Sequence, residues 1–155
     1  MALPAPRDLL PWLLAAACAA AAAAPPAPLR HVAKGMTSEA TGGSAFLVIH
    51  TADDLATALN PKASLAAARG AGDVLASVDF DKEIVVGVML STRATGCTGV
   101  DITSVAQDGI VSVVHYRARK PRKGETCQGR PYSPFDFVAI ARTNAPFRFT
   151  EDTGP

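Results

Sequence analysis

The chain reads as an α+β domain: a mainly antiparallel β sheet or sandwich with one or two short helices near the start of the domain. Three observations carry that prediction. Short apolar runs rich in β-branched residues recur between Phe46 and Phe149, separated by hairpin-length connections. One stretch near the start, opening at Thr51, has helix-capping chemistry. Twelve Gly and twelve Pro among 155 residues break up the long helices that a bundle would need.

The elements follow in order. Phe46-Leu47-Val48-Ile49 is a short apolar run suited to a buried strand. Thr51-Ala52-Asp53-Asp54 then starts a helix with carboxylates in its first turn, and Leu55 and Leu59 share one face before Asn60-Pro61 ends it. Ala63 to Arg69 is a second helical turn or two, closed by Gly70 and Gly72. Ile84 to Leu90 is apolar on both faces, the pattern of a central strand. Val100 and Ile102 alternate with Asp101 and Thr103 as a half-buried strand does. Asp108-Gly109 supplies the positive-φ pair of a type I′ hairpin, and Ile110 to Tyr116 returns antiparallel. Phe135 to Ala141 forms a further strand, and Phe147-Arg148-Phe149 a short last one.

The headline composition belongs to two different regions. The whole chain is 48% hydrophobic, 19% charged and +1 in net charge, which excludes a disordered chain and one built mainly for nucleic acid. Residues 9 to 24 carry no charge, and residues 15 to 24 are all Ala except Cys18. Sixteen residues rise roughly 24 Å as a helix, short of the roughly 30 Å of bilayer hydrocarbon, so a spanning anchor is disfavoured. With Arg7 and the amino terminus before it, the stretch fits a secretory signal peptide over residues 1–24. Cys18 is a candidate lipid-attachment cysteine, although Ala15 stands where a lipobox carries a larger aliphatic residue. Residues 25–44 mix Pro, Ala, Gly, Ser and Thr and read as a flexible linker, 45–150 as the domain, and 151–155 as a tail.

Three stretches of the domain resemble one known family. They are Val78-Asp79-Phe80-Asp81-Lys82-Glu83 running into the long apolar strand, Arg93-Ala94-Thr95-Gly96 opening the next hairpin, and Ser133-Pro134-Phe135 followed by Val138-Ala139-Ile140. Together these resemble the C-terminal domain of the protease-complex subunit PrcB family, over roughly residues 45 to 150. Thr95-Gly96-Cys97-Thr98 departs from that family's Thr-Gly-Gly-Tyr turn, and the segment Cys127 to Tyr132 also differs. The resemblance implies an envelope or secreted accessory protein associated in some members with a protease, and it brings no catalytic residue set.

Cys97 and Cys127 are the two cysteines left once the leader is removed. In an oxidising compartment an even count favours a disulfide between them. Neither has the Cys-x-x-Cys spacing of a redox pair nor a His at zinc-ligand spacing, so no metal or cofactor is expected. His31 lies in the linker stretch, His50 after a strand and His115 within one, and no nucleophile elbow accompanies them. Asp79, Asp81 and Glu83 alternate and would share one face of extended chain. There they could bind a cation or work as an acid/base pair, but a solvated rim to the following strand is the simpler role. Charge divides along the domain: residues 45 to 110 hold 4 basic and 8 acidic side chains, residues 111 to 150 hold 8 and 2.

Loops on a rigid sheet carry function, which makes three of them the candidate binding segments. They contain Arg93, Thr95 and Gly96; Arg117, Arg119, Lys120, Arg122 and Lys123; and Arg130. The expected protein is an exported, non-enzymatic accessory domain in the bacterial periplasm, cell envelope or extracellular space. It binds or stabilises a protein partner, with a protease among the candidates, and has no transmembrane span and no nucleic-acid role. The alternative is a free-standing binding module, a peptidase inhibitor or an anionic-ligand binder.

Overall fold

An unbroken apolar run from Ile84 to Leu90 needs burial on both faces, and the fold supplies it. The computed structural model describes residues 29–37, 42–59, 71–94, 96–127 and 129–153. The elements are β1 (Arg30–Thr37), β2 (Ala45–Ile49), α1 (Ala52–Ala58), α2 (Ala71–Ala76), β3 (Glu83–Met89), β4 (Gly99–Asp108), β5 (Val111–Arg119), β6 (Ser133–Ala141) and β7 (Phe147–Glu151). They build a four-stranded antiparallel sheet in the order β1-β6-β3-β2 and a three-stranded sheet in the order β4-β5-β7. β3 is internal in the first.

Alternation along β3 and β6 sends side chains into two separate cores. Val85, Phe135, Phe137 and Ala139 pack with Ile49, Leu55, Leu59 and Val78 beneath the helices. Val86, Val88, Leu90 and Val138 pack with Val100, Ile102, Val114 and Tyr116 of the second sheet. The result is three layers, with the four-stranded sheet in the middle. Gly87 pairs with Phe137 across β3 and β6, and a Cβ at Gly87 would collide with the Phe137 ring.

Local chemistry explains the helix. The Thr51 hydroxyl accepts the Asp54 N–H at 3.1 Å and donates to the Asp54 carboxylate at 2.7 Å, so the expected cap forms and Leu55 and Leu59 are buried together. Ala63 to Arg69 lies outside the described residues. Gly72, expected to close a helix there, sits within α2.

Several expectations are corrected. The stretch assigned to a linker contains β1, which pairs along β6 from Arg30↔Ala139 to Thr37↔Ser133, so order begins well before Ala45. β6 is apolar and internal, and it takes a strand on its second edge as well. β2 is an edge strand whose Phe46 is 45% exposed, not a buried one. The β4–β5 hairpin forms, but its central residues are Gly109 and Ile110. Only Gly109 has positive φ, at 59°, as a type II′ turn requires, because Ile cannot cheaply take the second positive φ of type I′. Asp79 and Lys82 close a tight turn, with the Lys82 and Glu83 N–H groups donating to the Asp79 carbonyl, so the three acids do not line one face of a strand.

β7 pairs parallel with β5, the one departure from antiparallel order among the described strands. The cause is topological. β5 ends where β6 begins, β6 carries the chain back through the other sheet, and β7 therefore starts at the same end as β5.

Candidate functional site

The registers place two connections, which carry the three candidate binding segments, at one end of the sandwich. β3 ends at Met89, β4 starts at Gly99, β5 ends at Arg119 and β6 starts at Ser133, so residues 90–98 and 120–132 meet there. Leu29, Glu83, Arg142 and Thr143 lie at the opposite end, where a groove of about 630 Å³ opens between the sheets.

A disulfide joins Cys97 to Cys127 across these loops, with Cα atoms 5.2 Å apart. Arg93 and Tyr132 exchange both backbone hydrogen bonds, at 2.8 and 3.1 Å, as an isolated antiparallel bridge. The buried Tyr132 hydroxyl accepts the Thr98 N–H at 2.8 Å and donates to the Thr98 carbonyl at 2.9 Å. Leu90 donates to the Pro134 carbonyl at 2.9 Å. The two loops are therefore fixed to each other by one covalent bond and several hydrogen bonds, at a place where little apolar surface is available to do it.

The basic loop is also ordered. The Glu125 N–H donates to the Arg122 carbonyl at 3.0 Å and Gly124 takes φ of 82°, the geometry of a type II turn with glycine in its third position. The Glu125 carboxylate turns inward, accepting the Arg122 N–H at 2.9 Å and the Arg119 guanidinium at 3.2 and 3.3 Å. The Arg122 N–H, with Arg119 adding to it, holds the Glu125 carboxyl below the usual glutamate range. Arg119 also crosses Gly99 of the neighbouring strand.

The other sequence-chosen residues fall around this arrangement. Arg93 and Gly96 are half-buried; Arg117, Lys120, Arg122, Lys123 and Arg130 are exposed, and their side chains make no ion pair among the described residues. Thr95 and Cys18 lie outside the described residues. Outside them too is the proposed signal peptide. Among the described residues no helix is long and apolar enough to cross a membrane, and no three His, Cys, Asp or Glu side chains gather where they could hold a metal ion.

Two histidine–carboxylate pairs were not foreseen. Asp136, with 0% exposure on β6, accepts the Ile102 N–H of edge strand β4 at 2.7 Å and lies 2.9 Å from His31 Nδ1. It thereby ties the two sheets together. His115 Nδ1 lies 3.0 Å from Asp152, whose other oxygen accepts the Thr103 hydroxyl at 2.7 Å. The Thr103 hydroxyl, then His115, holds the Asp152 carboxyl below the usual aspartate range. Asp152 thus belongs to the fold and not to a tail. In a nucleophile triad a hydroxyl or thiol would sit on histidine Nε2. Here the threonine is on the carboxylate, and among the described residues neither Nε2 has a hydrogen-bond partner.

No protein-family model, curated protein or solved structure matches this chain.

Proposed function

We propose that the protein is an exported, non-enzymatic accessory domain that binds a protein partner through the disulfide-clamped tip. The observation that carries this reading is the convergence of all three candidate binding segments on one end, held in place before any partner arrives. Ordered loops lose less conformational entropy on binding, so more of the contact energy remains as affinity. The disulfide and the absence of a spanning helix among the described residues are compatible with export. The PrcB-like stretches favour an envelope or secreted protease as the partner, and lipidation at Cys18 or release as a free chain as the two fates of the leader.

Native co-purification of the tagged full chain from its producing cell tests this. The expected result is a stoichiometric partner that is lost when Arg93 and Arg130 are replaced by Ala. Recovery of no partner, or recovery unchanged by those substitutions, contradicts the proposal.

A further inference from the structure

The connection from Arg117 to Arg130 holds six basic residues and one acid, Glu125, and that acid is spent internally on the Arg122 N–H and Arg119. What faces outward is cationic: Arg117, Lys120, Arg122, Lys123 and Arg130 are exposed and carry no ion pair among the described residues. Several other surface cations differ, although the exposed Arg142 also has no ion pair among the described residues and donates to the Phe80 carbonyl at 2.6 Å. Lys34, Lys82 and Arg148 are each paired with a nearby carboxylate, Asp101, Asp79 and Asp108. The type II turn, the disulfide and the Arg93–Tyr132 bridge hold the unpaired set in place.

We propose, resting on the accessory reading above, that this cluster recognises an acidic face or segment of the protein partner. Guanidinium groups supply three of the five outward cations, and their planar fork matches carboxylates in two-point hydrogen bonds. Two other polyanions fit less well. Single-stranded nucleic acid calls for aromatic platforms, and the tip's one aromatic, Tyr132, is buried with its hydroxyl engaged. A lipid surface calls for apolar side chains within the charged loops, and none of the large exposed apolar residues is there: Ile110 lies at the opposite end, while Met36 and Phe46, which pair with Pro134 and Val88, sit on the strands leading to the tip.

The test uses the full chain with its disulfide intact. Fluorescence anisotropy follows a labelled 20-residue poly-glutamate peptide, and co-sedimentation follows vesicles of phosphatidylcholine with phosphatidylglycerol. Binding of the peptide is expected at 50 mM NaCl, weakening about tenfold or more both at 300 mM NaCl and in the variant Lys120→Gln/Arg122→Gln/Lys123→Gln/Arg130→Gln. Arg148→Gln, at the other end of the molecule, should leave it within about twofold. The inference is overturned by no saturable binding of the peptide at 50 mM NaCl, by equal affinity of the fourfold variant, or by tighter binding to the vesicles than to the peptide. Each of those results leaves native co-purification, and with it the accessory reading, to stand or fall separately.

Discussion

At the centre of the four-stranded sheet, Val85, Val86, Val88, Phe137 and Val138 are sealed from solvent and packed between two other layers. At the tip, Cys97 and Tyr132 are the buried side chains among the described residues of 91–98 and 120–132, and order there comes from a disulfide, a two-bond bridge and a capped turn. Packing holds the first region and specific bonds hold the second. The difference teaches that the two regions are held by different means, so a lesion at the centre and one at the tip should show different local signatures.

The largest effect belongs to the centre. Phe137→Ala removes the ring that fills the space over Gly87 and should cost about 3–5 kcal/mol, measured by denaturant unfolding. A loss under about 1 kcal/mol would mean that the helix layer does not press on the sheet as described. Next comes the crosslink: replacing Cys97 and Cys127 by Ser opens a separation of 30 residues, worth about 3–4 kcal/mol on the chain-entropy model. Thiol labelling of the unreduced, denatured mature chain should fail in the parent protein, and stoichiometric labelling would refute the bond.

Tyr132→Phe sharpens the comparison further. It leaves Thr98 without its hydroxyl partner and should cost about 1–2 kcal/mol, with faster amide exchange at Thr98 and unchanged exchange at Val86. Equal acceleration at both amides would show that the two regions melt as one.

The smallest effect is electrostatic. Glu125 has its pKa lowered on folding, so its contribution to stability is present above the unfolded value and is lost as pH falls through the folded one. Carboxyl NMR titration should place its midpoint below the ordinary glutamate range, and Arg119→Gln should move it part of the way back. A midpoint unchanged by that substitution would show that the Arg119 guanidinium does not act on the Glu125 carboxyl.

Parts of this were written plainly in the sequence. The β3 run, the Thr51 cap with Leu55 and Leu59, the β4–β5 hairpin and the cysteine pairing each depend on neighbouring residues or on a count. β1 was hidden because Ala33 and Gly35 are weak strand formers and a bulge between His31 and Ala33 breaks the alternation that would have marked it. Its loss hid the His31–Asp136 pair as well. The tip loops were nameable one by one, but their meeting depends on the registers of β3, β4, β5 and β6 taken together, which no local pattern encodes. Likewise no local pattern shows that Glu125 turns inward to the Arg122 N–H and the Arg119 guanidinium, which folding brings about.

The clamp between Cys97 and Cys127, by ordering the tip, makes the proposed binding surface. Native co-purification of the Cys97→Ser/Cys127→Ser variant, checked by circular dichroism for an intact sheet, tests it most directly. The predicted result is a folded protein that no longer recovers the partner its parent recovers. A folded variant that recovers the partner as fully as the parent would contradict the claim.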